Sequence, residues 1–404
     1  MDDLLVFLLL FVAVGCGWLL GRRGARTLSP AGGELPSQYY RGLNYLLDGR
    51  PDGAIDHFIS ALEVNSETLE THIALGNVLR RRGEVDRAIR IHQNLLARPN
   101  LPASQRHIAH LELARDYISA GLLDRAEALF LELVEESAEQ RDVSRQHLVE
   151  IYRSQRDWRP AIEQAKALLK PRGLLRAAPP AAGVLSGQPI SAQLAHFYCE
   201  LAQECQDAQD GAEARRLLGR ALRFDRDCVR ASLKLGRLEA DAGHYEAAIQ
   251  VLTRVEEQDA DFLPEAIPIL RAAHSALGRE ADLAAYLRAC LERHPSTPLV
   301  LAVAEDLEAT QGREAARGFL TRRLADTPSL RGLQRLIRLQ DDQADTAGDR
   351  DAQGMLGVLL GRLIEERPVY RCNHCGFSAK HRLWFCPGCK YWGTFRSIRT
   401  AMAE

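Results

Sequence analysis

Apolar residues recur over most of the chain with the three- and four-residue spacing of amphipathic helices. The stretch Leu69 to Pro102 shows this pattern most clearly, because it predicts two such helices joined by a short turn. Gly76 falls inside the first helix and Gly83 falls in the turn. Each has a counterpart about 34 residues earlier, at Gly42 and Gly49. A small residue inside a helix allows close helix contact, and a turn glycine supplies the backbone freedom that ends the first helix.

A fixed period of about 34 residues with a small residue in each helix indicates tetratricopeptide repeats. The period predicts one subarray over residues 37–170 and a second, with its capping helices, over residues 191–367. Between them, residues 171–190 are rich in Pro, Ala and Gly, and Pro179 and Pro180 block helix continuation, so we expect a flexible connector. Stacked repeats bury apolar faces that a single repeat cannot, and they form a superhelical solenoid whose groove binds peptides or folded partners.

We predict a transmembrane anchor over residues 1–21. The run from Leu4 to Leu20 carries no charge, and as a helix it would span roughly 26 Å, close to the ~30 Å hydrocarbon core of a bilayer. Two acidic residues precede the run, whereas Arg22, Arg23 and Arg26 follow it. By the positive-inside rule, this asymmetry predicts a single-pass protein whose C-terminal side is cytoplasmic.

An exported lipoprotein is the alternative interpretation of the same segment, because Val14, Gly15 and Cys16 resemble part of a lipobox. The apolar run continues beyond Cys16 through Trp18, however, and no positive region precedes it as a cleaved signal peptide requires. The pattern therefore favours an uncleaved anchor, with residues 22–36 as a linker to the first repeat.

Composition narrows the choice of function. The chain has 404 residues, with 52 Lys and Arg against 54 Asp and Glu, so no overall charge directs it toward nucleic acid. Of its nine cysteines, five are scattered and do not form a disulfide framework, which is typical of a reducing compartment: Cys16, Cys199, Cys205, Cys228 and Cys290.

The other four cysteines form two close pairs near the C-terminus. Cys372 and Cys375 make one C-x2-C pair, Cys386 and Cys389 make the second, and ten residues separate the pairs. Each pair predicts a tight turn that presents two thiolates, and two such turns supply a tetrahedral sulfur set. These four residues therefore predict a site for one Zn or Fe ion.

Four protein ligands leave no open position for a substrate, so the metal has a structural role in this interpretation. His374 and His381 lie near the cysteines, but the four thiolates already complete the site. Because residues 368–404 are too few to bury a sufficient core, we expect the metal to supply much of the folding free energy. Neighbouring aromatic residues are expected to pack around the site and to contact the repeats: Phe377, Trp384, Phe385, Tyr391 and Trp392.

Candidate partner-binding residues come from aligning the repeats. Asn77, Arg80 and Arg81 fall on the groove side of the first helix of one repeat, and Arg115 and Arg237 fall at equivalent positions in later repeats. The alternative is a solvated arginine-rich face. The sequence contains no phosphate-binding glycine loop, no HExxH motif and no nucleophile elbow, so we predict that the protein is not an enzyme.

The chain resembles the lipopolysaccharide assembly protein B (LapB, also called YciM) family of Gram-negative bacteria over nearly its whole length. The similarity is densest at Gly42 to Phe58, at Leu69 to Pro102 and at Glu112 to Phe130. It returns at YRCNHCGFSAK and FCPGCKYW, which resemble the family's rubredoxin-like domain. The expected fold is therefore an all-α tetratricopeptide-repeat superhelical solenoid, with an N-terminal transmembrane helix and a small C-terminal rubredoxin-like zinc-ribbon domain.

The resemblance implies an inner-membrane adaptor with its repeats and metal domain in the cytoplasm. Family members promote proteolysis of the lipid A pathway deacetylase LpxC by the membrane protease FtsH. They are also linked to lipopolysaccharide assembly and regulatory membrane proteins. By the resemblance, the four paired cysteines are metal ligands that hold the small domain against the repeats.

Other functions fit parts of the sequence. Rubredoxin-like sites can hold redox iron, which suggests an electron carrier. The chain could also be a generic membrane-anchored interaction scaffold, and whether it forms a homo-oligomer is open. A nucleic-acid-binding zinc ribbon is disfavoured by the balanced charge and the anchor, although the C-terminal region has basic residues beside aromatics: Lys380, Arg382, Lys390, Arg396 and Arg399.

Overall fold

The structure is a computed structural model that describes residues 44–45, 69–99, 101–169, 184–340, 347–365 and 369–398. Helices make up most of these residues, as the sequence pattern predicts. The contacts divide the chain into two compact units, Met1–Gln140 and Arg141–Glu404.

In the part of the first unit that the structure describes, residues 69–99 and 101–140 form two antiparallel helix pairs. Helices α1 (Leu69–Arg81) and α2 (Val85–Leu96) form one pair, and α3 (Ala103–Ser119) and α4 (Leu123–Glu136) form the other. The turn predicted between α1 and α2 is confirmed. Gly83 adopts a left-handed backbone there with φ of 85°, a conformation that costs glycine little.

Close packing of α1 on α2 depends on Gly76. A Cβ atom at this position would lie 2.5 Å from the ring of His92, so any larger residue would displace that ring. The small and large positions of the next repeat also behave as the period predicts, since Ala114, Ala126 and Phe130 are fully buried. The core of this unit is thus built from the residues that recur with the repeat.

The second unit continues the helical pairs, and each helix packs on its neighbour in the sequence through an apolar face. A short 3₁₀ turn, Ala260–Phe262, leads into α11. The helices are α5 (Arg141–Gln155), α6 (Trp158–Leu169), α7 (Ile190–Asp207), α8 (Gly211–Phe224), α9 (Val229–Asp241), α10 (Tyr245–Asp259), α11 (Leu263–Ala276), α12 (Glu280–Arg293), α13 (Thr297–Gln311), α14 (Arg313–Asp326), α15 (Leu330–Gln340) and α16 (Ala347–Glu365).

Part of the predicted connector is ordered. Strands β1 (Val184–Leu185) and β2 (Gln188–Pro189) form an antiparallel hairpin, and α7 begins directly after it. Ser186 and Gly187 make the turn with φ angles of 49° and 82°. Gln193 on α7 donates a hydrogen bond to the backbone oxygen of Leu185 at 2.5 Å. The remainder of the connector lies outside the described residues.

Among the described helices, none combines the length and the apolar character that a membrane span requires. The predicted anchor at residues 1–21 lies outside the described residues, so it stays a prediction.

Residues 369–398, called the C-terminal domain below, contain a three-stranded antiparallel sheet. Its strands are β3 (Tyr370–Cys372), β4 (Ser378–Ala379) and β5 (Phe395–Ser397), with β3 in the centre. The small core of this domain consists of Cys372, Cys386 and Phe395. Because so few residues are buried, other interactions must stabilise the domain.

Candidate metal centre and its docking surface

Two turns of the C-terminal domain bring the four paired cysteines together. The Sγ atoms of Cys372, Cys375, Cys386 and Cys389 all lie within 4.8 Å of one another. The Cys372 and Cys389 sulfurs are 3.7 Å apart, and the Cys375 and Cys386 sulfurs are 3.6 Å apart. This is the grouping that the spacing of the sequence predicts.

These distances fit a tetrahedral metal site. Metal–sulfur bonds of about 2.3 Å in a regular tetrahedron place the sulfurs about 3.8 Å apart, which is close to both observed separations. Cys386 and Cys372 are buried, whereas Cys375 is exposed and Cys389 is partly exposed. The four thiolates could therefore hold one ion at the edge of the domain, and sulfur ligands suit either zinc or iron.

Backbone geometry shapes both turns. Gly376 and Lys390 follow the second cysteine of each pair in the left-handed conformation, with φ angles of 79° and 61°. Their backbone N–H groups donate to the backbone oxygens of Cys372 and Cys386 at 2.9 and 2.8 Å. A Cβ atom at Gly388 would lie 3.3 Å from the Cys375 sulfur, so this turn leaves little space beside the site.

The electrostatics of the site favour a bound cation. Burial would raise the pKa of Cys372, but hydrogen bonds from the Thr394 hydroxyl and from nearby backbone N–H groups outweigh it and lower this pKa to about 6. Burial raises the pKa of Cys386, and it raises that of Cys389 to about 12, with the neighbouring sulfurs adding to the effect. A bound cation would stabilise the thiolate forms of Cys386 and Cys389, which this environment disfavours.

The two nearby histidines lie apart from the sulfur cluster. The ring of His374 packs on that of Tyr391, with centroids 4.0 Å apart, and His381 is exposed. In the described part of the chain, the group whose ligand atoms converge consists of the four cysteines alone.

The C-terminal domain packs on the helices of the second unit through Trp392. Its indole ring stacks on His196 of α7 at 4.9 Å and meets Trp158 and Phe197 edge-on. Its backbone makes two hydrogen bonds with the side chain of Gln188 in β2, at 2.9 and 2.8 Å. The expected contact between the aromatic residues and the repeats is confirmed, and the ordered hairpin takes part in it.

Arginines extend this docking surface along the α10–α11 junction. The Arg382 guanidinium lies 3.9 Å from the centre of the Phe262 ring and 2.8 Å from the Glu265 carboxylate. Arg396 pairs with Asp259 at 2.8 Å. Burial raises the pKa of Glu265, and the charge of Arg382 offsets part of that effect. Arg382 and Arg396, two of the basic residues considered for phosphate binding, therefore form ion pairs within the protein.

Trp384 and Arg230 also take part in this docking surface. Trp384 packs face to face with Phe262 at 5.2 Å, and the Arg230 guanidinium lies between Trp384 and Trp392, 5.8 and 5.7 Å from their centroids. Burial, together with the charge of Arg230, lowers the pKa of His196 to about 3. The docking surface thus keeps His196 neutral at physiological pH.

Two of the predicted partner-binding arginines form ion pairs inside the first unit. Arg80 lies 2.8 Å from both Glu112 and Asp116 on α3, and Arg115 lies 2.6 Å from Glu112. Burial opposes the charge of Arg80, but these carboxylates outweigh it and raise the pKa of the guanidinium. His92 completes the cluster, with its Nδ1 atom 2.5 Å from Asp116.

The other predicted partner residues differ in exposure. Arg81 and Arg237 are exposed, whereas Asn77 is half-buried and its Oδ1 atom has no hydrogen-bond partner in the described part of the chain. Partner binding by this set stays a prediction, and Arg81 and Arg237 have the guanidinium groups that solvent reaches.

Sequence reasoning did not identify several residues that position these sites. Asp116 and Glu112 lie four residues apart, on one face of a helix and one repeat after Arg80, and that spacing could have indicated the ion-pair cluster. Gln188 lies in the segment predicted as a connector, where no periodic pattern marks it. Its role follows only from its contact with Trp392.

Comparison with known proteins agrees with this architecture. Residues 370–397 match a family described as rubredoxin metal binding domain, and residues 71–104 and 206–266 match tetratricopeptide repeats. Lipopolysaccharide assembly protein B of Escherichia coli (strain K12) is 35% identical over 396 residues, with 98% of each chain covered. The protein of the same name from Haemophilus influenzae is 32% identical over 403 residues, again with 98% of each chain covered.

Solved repeat proteins are more distant. The TPR2AB domain of yeast Sti1 in its pHSP90 complex has a TM-score of 0.31 and 14% identity, and the match covers 70% of this chain and 94% of that one.

Proposed function

This chain belongs to the lipopolysaccharide assembly protein B family, and we propose that it is an inner-membrane adaptor that regulates lipopolysaccharide biosynthesis. In this role it promotes proteolysis of the deacetylase LpxC by the membrane protease FtsH, and it helps to coordinate lipopolysaccharide assembly with other membrane proteins. The observation that carries the proposal is the end-to-end similarity to relatives named for lipopolysaccharide assembly.

The arrangement of the chain supports an adaptor. Tetratricopeptide repeats bind other proteins through surfaces that many side chains build together. A predicted anchor at residues 1–21 would confine the protein to the membrane of the protease, and repeats over residues 37–170 and 191–367 would hold the substrate nearby. Such tethering raises the effective concentration of substrate at the protease without any chemistry by the adaptor.

The C-terminal domain has a structural part in this proposal. Cys372, Cys375, Cys386 and Cys389 would hold one zinc or iron ion, which would cross-link β3 to the second turn of the domain. The domain is held against the helices by protein contacts. Trp392 packs on α7, Arg396 pairs with α10 and Arg382 pairs with α11. In this proposal the metal stabilises the C-terminal domain, which packs on these helices.

The cellular half-life of the deacetylase tests the proposal. We expect the half-life to lengthen several-fold when this protein is depleted and to return to its original value when the protein is restored. A protease-deficient strain is the control, because depletion should have no further effect there. An unchanged half-life after depletion would refute the adaptor role.

An electron carrier is the second candidate, and the exposure of Cys375 favours it, since electrons reach a metal through an exposed ligand. Iron bound by four thiolates absorbs visible light, whereas zinc has no redox chemistry and no colour. A colourless, aerobically purified protein that contains one zinc ion would reject this candidate.

A further inference from the structure

A cavity of about 500 Å³ opens beside the docked C-terminal domain, within the second unit. It lies between the α5–α6 junction, the second half of α7 and the second cysteine turn. Aromatic side chains form part of its wall, and charged side chains of both signs surround them. The adaptor role proposed above needs a site for a partner, and neither the repeat pattern nor the metal site accounts for this cavity.

Arg153 is the half-buried cation in the lining of the cavity. Its guanidinium lies over the Phe385 ring, 5.5 Å from the centroid, and the side chain is half-buried. Burial lowers the pKa of this guanidinium, and the charge of Glu150 offsets only part of the effect. Arg153 makes no ion pair with any described residue, so its charge is available to an anionic ligand. Arg156 and Lys390 add two exposed cations to the lining.

A second aromatic ring packs on Phe385 in the lining of the cavity. Trp392 also lines the cavity, and its ring centroid is 4.8 Å from that of Phe385. Only 5% of its surface is exposed, and its indole N–H donates to no group in the described ranges. Because the indole nitrogen has almost no accessible surface, Trp392 contributes an aromatic wall to the cavity.

Helix α7 contributes acidic side chains to the lining of the cavity. Glu204 and Asp207 of α7 are exposed there. Partial burial raises the pKa of Glu204, and the nearby carboxylates Asp157, Glu200 and Asp207 raise it further, while Arg159 opposes them. The acidic groups therefore repel one another, and a positively charged ligand group would relieve this repulsion.

We propose that this cavity binds the carboxyl terminus of an extended partner peptide. The terminal carboxylate contacts Arg153, because a guanidinium forms strong charge-assisted hydrogen bonds with a carboxylate. The last side chain is apolar and packs on Phe385 and Trp158. A basic residue a few positions upstream lies near Glu204 and Asp207. This inference deepens the adaptor role and rests on it, because it states which part of a client protein is bound.

A peptide library tests this inference on the full-length protein in lipid nanodiscs. The library consists of decapeptides randomised at the last six positions, made once with a free terminal carboxylate and once with a terminal amide. We expect enrichment only from the free-acid library, with an apolar last residue and Lys or Arg upstream. The enriched peptide should bind about tenfold or more weakly as its amide, because it loses a charge-assisted hydrogen bond.

Matched variants locate the binding site. Arg153→Gln should weaken the enriched peptide about tenfold, whereas Arg220→Gln, an exposed arginine on α8 outside the cavity, should leave the affinity unchanged. Circular dichroism and metal content should match the unmodified protein in both variants. Equal enrichment of acid and amide libraries, or unchanged binding by Arg153→Gln, would overturn the inference. So would selection of peptides that carry only internal Asp or Glu, since the terminus would then be irrelevant.

Different results would contradict the adaptor role and the peptide-binding cavity. If depletion stabilises the deacetylase but the full-length protein selects no peptide termini, the cavity inference is wrong and the adaptor role stands. If termini bind at Arg153 and the half-life of the deacetylase does not change, the client is a different protein and the proteolytic role is wrong.

Discussion

Arg80 shows how the same residue type can serve opposite purposes in a repeat. The sequence marks Arg80 and Arg81 alike as candidates for partner binding, because both lie near one face of α1. In the folded chain Arg80 turns to Glu112 and Asp116 on α3, whereas Arg81 is exposed. Helical periodicity gives the face of a residue but not the charge that the next repeat presents to it. Partner binding by these arginines stays a prediction, and Arg81 and Arg237 are the exposed members of the set.

Asp116 of this cluster is fully buried and accepts from two neighbours at once. Arg80 lies 2.8 Å from one of its oxygens and His92 lies 2.5 Å from the other. A buried carboxylate is tolerated only when such partners replace its lost hydration. The cluster thus ties α1, α2 and α3 together by geometry, in addition to the apolar packing around Gly76.

His196 should make the docked state sensitive to acid. Its pKa is about 3 in the folded protein, against an ordinary value near 6.5, so the unfolded state binds a proton first as the pH falls. The free energy of unfolding therefore decreases between about pH 6.5 and pH 3, and this residue should account for about 2 kcal/mol between pH 7 and pH 5. Urea unfolding followed at both pH values measures the loss.

His196→Phe is the matched variant for this measurement, because it keeps a ring against Trp392 but cannot titrate. All other ionisable groups are the same in the two proteins, so the difference between their pH dependences belongs to His196. A variant that loses as much stability as the unmodified protein between pH 7 and pH 5 would contradict the prediction.

The surroundings of two glycines in neighbouring helices predict opposite changes in stability when each glycine is replaced by alanine. A Cβ atom at Gly236 in α9 would lie 2.4 Å from Leu252 in α10, whereas a Cβ at Gly219 in α8 would meet nothing within 4 Å. Gly236→Ala should therefore destabilise the second unit by about 1–3 kcal/mol through overpacking. Gly219→Ala should stabilise it by about 0.5–1 kcal/mol, because alanine favours the helix.

Urea midpoints of the two variants and the unmodified protein measure this contrast. If both substitutions stabilise the protein, Leu252 can move aside at little cost, and the small residue is not required for the close approach of α9 and α10.

Most helices could be predicted from the sequence, because their apolar faces repeat with a fixed period. The exceptions are elements whose determinants are not periodic. The hairpin formed by residues 184–189 depends on a turn at Ser186 and Gly187 and on a contact with Trp392, which is distant in sequence. Helix α16 begins at Ala347 in a polar stretch that shows no apolar period, since a polar stretch without proline does not prevent a helix.

At the scale of the whole chain, the four metal ligands and the order of the parts could be predicted, because C-x2-C pairs and repeats are local patterns. How the C-terminal domain packs on the helices of the second unit could not. That surface is made of single residues from several elements, such as Gln188, His196 and Phe262, and only the fold brings them together. Aromatic residues near the cysteines indicated a contact but not its partners.

Metal binding and docking should be lost together. Replacing Cys372 and Cys375 by Ser removes two of the four converging sulfurs, so the C-terminal domain loses the ion that compensates for its small core. The domain should then unfold and release Trp392, whose burial is worth roughly 4–6 kcal/mol at 25 cal/mol per Å² of apolar surface. We expect the metal content to fall from one ion to almost none, and tryptophan emission to shift to longer wavelengths.

Cys205→Ser is the control for this experiment, because Cys205 lies on α7 outside the sulfur cluster. It should leave metal content, emission and proteolytic resistance unchanged. Limited proteolysis of the double variant should cut first within residues 369–398, while the helices of the second unit resist for longer. Retention of the metal by the double variant would show that these sulfurs are not its ligands. Loss of the metal without exposure of Trp392 would show that docking depends on the arginine and aromatic contacts alone.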